Sequence, residues 1–253
     1  MRVLILGGST EATAIAQALA GDARVAPLLS FAGRTGTPAT PPIPWRSGGF
    51  GGAAGLAAFL RAQAMDALID ATHPFAARMK ANAAAAALAA GVARVAVLRP
   101  PWQAREAAGD RWTAVPDMAA ASLALGAAPR RVFLAIGRRE LGAFGPPHAY
   151  LVRSIDPPDP ATLPPGATAI AARGPFTEAA ERALLDAHRI EVVVAKNAGG
   201  AATAAKLTAA RALGVSVVMV DRPPPPAPPL VPDAAGALAW LGHRAGPSWW
   251  RGV

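Results

Sequence analysis

Residues 3–11, VLILGGSTE, constrain the fold more than any other stretch of this chain. Val3 to Leu6 is an apolar run long enough for a strand buried on both faces. Gly7 and Gly8 follow at once, and the Ala-rich segment 12–20 reads as a helix. A strand, a glycine turn and a helix N-terminus together bind phosphates. The glycines let a ligand approach the backbone, and the first N–H groups of the helix point at the anion. The loop departs from G-x-G-x-x-G, because Glu11 or Ala12 stands where a third glycine belongs, so it does not specify a dinucleotide by itself. Ser9 or Thr10 also suits a helix cap, and Glu11 suits the positive end of the helix dipole.

The same alternation recurs along the chain. It predicts strands at 24–31, within 44–50, and at 67–69, 94–98, 131–136, 148–155, 167–172, 190–195 and 215–220. Helices are expected at 56–63, 74–90, 118–125, 177–188, 202–213 and near 233–243. Pro74 falls in the first turn of its helix and Gly91 ends it. The alternation implies an α/β fold with parallel sheets flanked by helices. Pro100, Pro101 and Trp102 interrupt the pattern, so the reading is of two Rossmann-like lobes, 1–101 and 102–253, with an active-site cleft between them. The Pro-rich run 223–229 reads as a polyproline surface excursion. Ligands of such sheets bind beyond the carboxyl ends of strands. The loops GGSTE, GRTG, ATHPF, GRR, ARGPF and KNAGG all lie at such ends.

Composition removes several classes of chemistry. The chain has no cysteine, which excludes disulfides, thiolate nucleophiles and cysteine metal sites. Four scattered histidines support neither a metal cluster nor a Ser–His–Asp triad. No apolar run reaches the roughly 18 residues of a membrane span, and the opening strand pattern argues against a signal peptide. A cytoplasmic enzyme is the expected setting. The formal charge is +9, from 25 basic and 16 acidic residues. No long basic run occurs and there is a single Tyr, which argues against nucleic acid as a partner. Solvated surface charge and an anionic small ligand are the two readings left. Only three of the basic residues are Lys, at 80, 196 and 206, where a compact point charge stands instead of the usual guanidinium fork.

Individual loops sharpen the ligand. Arg34, Thr35 and Gly36 follow the second strand, where an arginine takes the 2′-phosphate of NADP and a carboxylate would take the NAD ribose. An ordinary surface turn is the plainer reading there. His73, in the loop after the third main strand, suits a hydrogen bond to cofactor or substrate, a proton transfer, or a structural bond to backbone. Asp70 reads as the residue that orders that turn. Lys196, Asn197, Gly199 and Gly200, followed by Thr203 and Lys206 at helical spacing, resemble an anion cradle but lack the Walker A order. Arg138 and Arg173 would add positive charge.

GGSTEA at 7–12, DATHPFA at 70–76, RGPF at 173–176 and KNAGG at 196–200 together resemble the precorrin-6A reductase family of cobalamin biosynthesis. The resemblance spans nearly the whole chain. It departs at Ala198, where many members are expected to carry serine or threonine, and at Gly137-Arg138-Arg139, which is unusually basic. It implies an NADPH-dependent reduction of one double bond of the precorrin-6A macrocycle to give precorrin-6B, or of the cobalt-containing analogue in anaerobic pathways. On that basis Gly8, Ser9, Thr10, Glu11, Arg34, Thr35, Gly36, Thr72, His73 and Pro74 would hold NADPH. Arg138, Arg173, Gly174, Lys196, Asn197, Gly199, Gly200, Thr203 and Lys206 would hold the macrocycle. His73 and Lys196 are the catalytic candidates, with the proton donor open between them, water and a substrate carboxylate. The implied partner is a polycarboxylate tetrapyrrole, with no metal, nucleic acid or membrane and with room for other corrin-pathway enzymes. Another NADPH-dependent reductase, or a non-catalytic binder of an anionic metabolite, is the alternative.

Overall fold

The apolar run that opens the sequence becomes the central strand of a parallel sheet. The computed structural model describes residues 1–32 and 40–245. The chain begins with β1 (Arg2–Leu6), α1 (Thr10–Ala18), β2 (Ala26–Phe31) and β3 (Trp45–Ser47). It continues through α2 (Gly52–Ala62), β4 (Ala67–Asp70), α3 (Ala77–Ala90) and β5 (Ala93–Val97). β1 lies between β2 and β4 and runs parallel to both. Its alternation divides the core in two, because successive side chains leave opposite faces of a strand. Val3 and Ile5 meet Ile15 and Ala16 of α1, whereas Leu4 and Leu6 meet Leu56 and Leu60 of α2 and Ala83 of α3.

The second unit holds β6 (Trp112–Val115), α4 (Met118–Ala124), β7 (Arg131–Ala135), β8 (Ala149–Ser154) and β9 (Thr168–Ala171). It ends with α5 (Glu178–Ala187), β10 (Val192–Lys196), α6 (Ala205–Leu213) and β11 (Ser216–Val220). Its sheet is also parallel, in the order β6-β11-β10-β7-β8-β9. Phe133, Leu185, Val193 and Leu207 form the core beneath α5 and α6.

The chain then returns. β12 (Leu230–Val231) pairs with β5, and α7 (Ala234–Ala245) packs against α1 with Ala237 and Leu241 buried. The two compact units are therefore Met1–Pro100 with the chain from Pro223, and Pro101–Arg222. The sequence reading differs here, since it put 223–253 in the second lobe. The polyproline run is a strap that carries the chain back to the first sheet. The buried Arg94 of β5 donates from Nη2 to the Ala227 carbonyl, and Ala96 N–H donates to Pro229 O at 3.1 Å. Two shorter differences are β6, a half-exposed strand with no expected counterpart, and α3, which starts at Ala77 and leaves Pro74 in the loop.

Both sheets share one path. The chain runs outward over three strands (β1, β2, β3 or β7, β8, β9) and then returns to the other flank of the first, as β4 or β10. Such a reversal opens a crevice at the carboxyl ends of the two strands that flank it, where ligands of open α/β sheets bind.

Candidate active-site loops

In the first unit the reversal lies between the loops after β1 and β4. Gly8 is exposed, with φ +109°, a conformation that glycine adopts without strain, and no atom lies within 4 Å of the place a Cβ would take. Ser9 is the N-cap of α1: its Oγ accepts from Ala12 N–H at 3.1 Å and donates to Ala71 O at 2.6 Å. The same hydroxyl thus caps the helix and ties the two loops together. Thr10 is exposed in the first turn. Glu11 accepts from Arg99 Nη1 with both carboxylate oxygens, at 2.9 and 2.7 Å. Burial pushes the Glu11 carboxyl up, but the Arg99 hydrogen bonds and the first-turn backbone outweigh it and hold the pKa below the usual value.

The loop after β4 is ordered by the fully buried Asp70, as its turn role in the sequence suggested. Asp70 Oδ1 accepts from Thr72 N–H at 3.1 Å and from Thr72 Oγ1 at 2.6 Å. Lys80 of α3, itself buried, places Nζ 3.6 Å from the same oxygen. Burial lowers the Lys80 pKa, and Asp70 offsets part of that. His73 is half-buried, and its Nδ1 accepts from Phe75 N–H at 3.2 Å. Pro74 is buried beside Thr72, and both border the recess of Ser9, Glu11 and Arg99. Gly8, Ser9, Thr10, Glu11, Thr72, His73 and Pro74 therefore belong to two adjoining loops. Arg34, Thr35 and Gly36 lie outside the described residues.

A second recess opens beside Gly7 at the ends of β1, β2 and β3. Phe31, Phe50 and Met79 line it with Ser30, Thr72 and Asn82. Arg46 shapes it. Its Nη1 donates to Ser30 Oγ at 2.9 Å and to Gly48 O at 3.1 Å, and its guanidinium lies 4.2 Å from the centre of the Phe50 ring. Arg46 was not singled out from the sequence, because nothing in WRSGGF distinguishes it from other surface arginines.

In the second unit the reversal lies between the loops after β7 and β10. Lys196 Nζ donates to Glu140 Oε1 at 2.6 Å and so joins these loops. Glu140, missed in the sequence, lies with Arg138 in the 3-10 helix Arg138–Ala143. Arg138 and Arg139 line a cavity of about 630 Å³ with Phe144, Thr162, Leu163 and Pro165. Gly199 and Gly200 have φ +66° and +81°. Asn197 is a structural clasp: its Oδ1 accepts from Trp102 N–H at 2.8 Å, and its Nδ2 donates to Trp102 O at 3.0 Å. Trp102 Nε1 donates in turn to Gly200 O at 3.0 Å. Lys206 is buried, donates to Thr203 O at 2.5 Å and sits 4.8 Å from the Trp102 ring centre. In the loop expected to cradle an anion, Asn197 and Lys206 bond to backbone and secure it. Arg173 is exposed after β9, and Gly174 leads to Phe176, whose N–H meets Ala202 O at 3.5 Å. Among the described residues no helix is long and apolar enough to cross a membrane.

The comparisons with known proteins agree on one family. The model for "Precorrin-6x reductase CbiJ/CobK" matches residues 2–242. The precorrin-6A reductase of Rhodobacter capsulatus is 51% identical over 100% of this chain and 99% of its own length. That of a Sinorhizobium species is 50% identical over 98% and 95%. A cobalt-precorrin-6A reductase of Synechocystis is 32% identical over 65% and 66%. Among solved structures, one described as CobK precorrin-6A reductase matches with a TM-score of 0.92 at 51% identity over both full chains.

Proposed function

The chain belongs to the precorrin-6x reductase family and is an oxidoreductase of cobalamin biosynthesis, and from that premise we propose that it reduces one double bond of precorrin-6A with NADPH to give precorrin-6B. The first unit holds the reductant and the second the macrocycle. Gly8 carries the first half of this reading. It is open, at φ +109°, and beside the N-terminus of α1, so a pyrophosphate meets bare backbone there. The recess of Phe31, Phe50 and Met79, edged by Ser30, Thr72 and Asn82, suits a flat base with its ribose hydroxyls. Arg34 takes the 2′-phosphate that separates NADPH from NADH.

NADPH supplies a hydride when bound. A hydride and a proton add two hydrogens and saturate one double bond. His73 and Lys196 are the side-chain candidates for the proton donor, beside water and a substrate carboxylate. The macrocycle bears acetate and propionate arms, and the arginines of the second unit suit them. The cavity beside Arg138 and Arg139, about 630 Å³, is within the range of small-molecule sites, roughly 300–1,000 Å³. The exposed Arg173 offers further charge, and Gly174, Gly199 and Gly200 offer backbone groups beside it in the same unit. Metal-free precorrin-6A is favoured as substrate, because the relatives near 50% identity carry that name and the cobalt-precorrin relative is more distant. The setting is cytoplasmic.

Titration with NADPH and NADH, followed by nicotinamide fluorescence, tests the reductant. NADPH should bind more tightly, and Arg34→Ala should weaken NADPH by about tenfold or more while sparing NADH. Equal losses for both would contradict the 2′-phosphate role.

A further inference from the structure

Arg153 of β8 is a buried arginine that neither motif nor spacing pointed to. Its side chain is 8% exposed, and its fork pairs with Glu181 of α5, 2% exposed, with Nη2–Oε2 at 3.0 Å. The guanidinium also lies 3.8 Å from the ring centre of Phe176 and 4.8 Å from that of Phe133. Phe133 belongs to the core, but Phe176 does not: it is the last residue of the loop 173–176 that follows β9.

That loop has a long way to reach. β9 is the edge strand, and β8 and β7 separate it from β10. Adjacent strands are about 4.8 Å apart, so the loop must cross some three spacings to approach the segment after β10. It makes the approach: Phe176 N–H meets Ala202 O at 3.5 Å, and a Cβ on Gly174 would stand 3.3 Å from the same carbonyl. Arg153 sits on β8, one of the two intervening strands, against Phe176. Glu181 fixes the guanidinium plane, and that plane supports the Phe176 ring.

We propose that Arg153, held by Glu181, is a positioning residue that seats the loop 173–176 through Phe176 and so sets how Arg173 and Gly174 meet the substrate. The proposal rests on the reading that this loop contacts the macrocycle. Arginine is required, because a lysine keeps the charge but not the planar fork that bonds Glu181 and stacks on a ring together.

Three variants separate the possibilities. Phe176→Leu keeps the Arg153–Glu181 pair and removes the stack, Arg153→Lys removes the fork, and Arg173→Ala tests the loop's own contact. The first two should raise KM for precorrin-6A about tenfold while KM for NADPH and kcat change little. Amide hydrogen exchange should quicken at 173–176 and not in β10. If Arg153→Lys does not fold, Phe176→Leu decides. If Arg173→Ala raises KM for precorrin-6A but Phe176→Leu does not, the positioning role is overturned and the loop contact stands. If Arg173→Ala also leaves it unchanged, the loop contact itself fails. A parallel rise in both KM values, or a fall in kcat alone, would assign Arg153 to general stability and overturn the proposal.

Discussion

At the scale of single residues, the charged groups that organise this protein are mostly bound to one another. Asp110 shows the physics most plainly. It is almost fully buried, accepts from Arg211 Nε and Nη2 at 2.8 and 2.9 Å, and takes Arg105 N–H at 2.7 Å. Burial pushes its carboxyl up, but the Arg211 fork and the Arg105 N–H together outweigh that and the pKa falls below the ordinary value. A carboxylate lowered in the folded state adds stability above its unfolded pKa, near pH 4, and loses it as the pH falls through the folded value. Glu11, held by Arg99, acts in the same direction. Asp110→Asn should therefore destabilise the protein by about 3 kcal/mol at neutral pH, as breaking a buried pair does. It should also flatten the acid limb of a plot of stability against pH. Urea unfolding across that range measures both, and an unchanged acid limb would contradict the assignment.

At the scale of elements, the loops at strand ends depend on how closely their neighbours approach. Gly55 in α2 is the tightest case: a Cβ there would lie 1.7 Å from the Phe50 carbonyl oxygen, a backbone atom that cannot move alone. Gly55→Ala should cost about 3 kcal/mol of stability and displace Phe50 from beneath Arg46. Raised KM for NADPH in the folded fraction, with KM for precorrin-6A unchanged, is the expected kinetic result. Strand and helix positions were legible because each apolar run has a length and period that local physics interprets. The exceptions are informative. β6 and β12 escape because they are short and exist through long-range pairing, and Pro74 misleads because its loop is shaped by Asp70 and His73. Ser9 and Asn197 stood out in the sequence only as candidates, by their position at strand ends. Their side-chain partners, Ala71 and Trp102, lie 62 and 95 residues away in sequence. No local pattern carries such information, and the same holds for Glu140 and Arg153, whose partners Lys196 and Glu181 lie 56 and 28 residues away.

At the scale of the whole molecule, the chain builds one unit, builds the next, and returns to finish the first. Repetition of the β-α alternation made two lobes legible, but the return was hidden in a Pro-rich run with no periodicity. Val97 and Ile15 share a buried cluster with Ala237 and Leu241 of α7, so the first unit is incomplete without residues 223–245. A chain ending at Arg222 should lose hydrogen-exchange protection in β1 and β4 and keep it in β10; protection retained in β1 would refute this. The central claim is that the nicotinamide cofactor delivers hydride to the macrocycle. Turnover of precorrin-6A with NADPH carrying deuterium at the transferable position, read by mass spectrometry of the product, tests it most directly. The account predicts one deuterium bound to carbon in each product molecule and one further hydrogen from solvent. A reduced product without deuterium, or consumption of NADPH with the macrocycle unchanged, would contradict it.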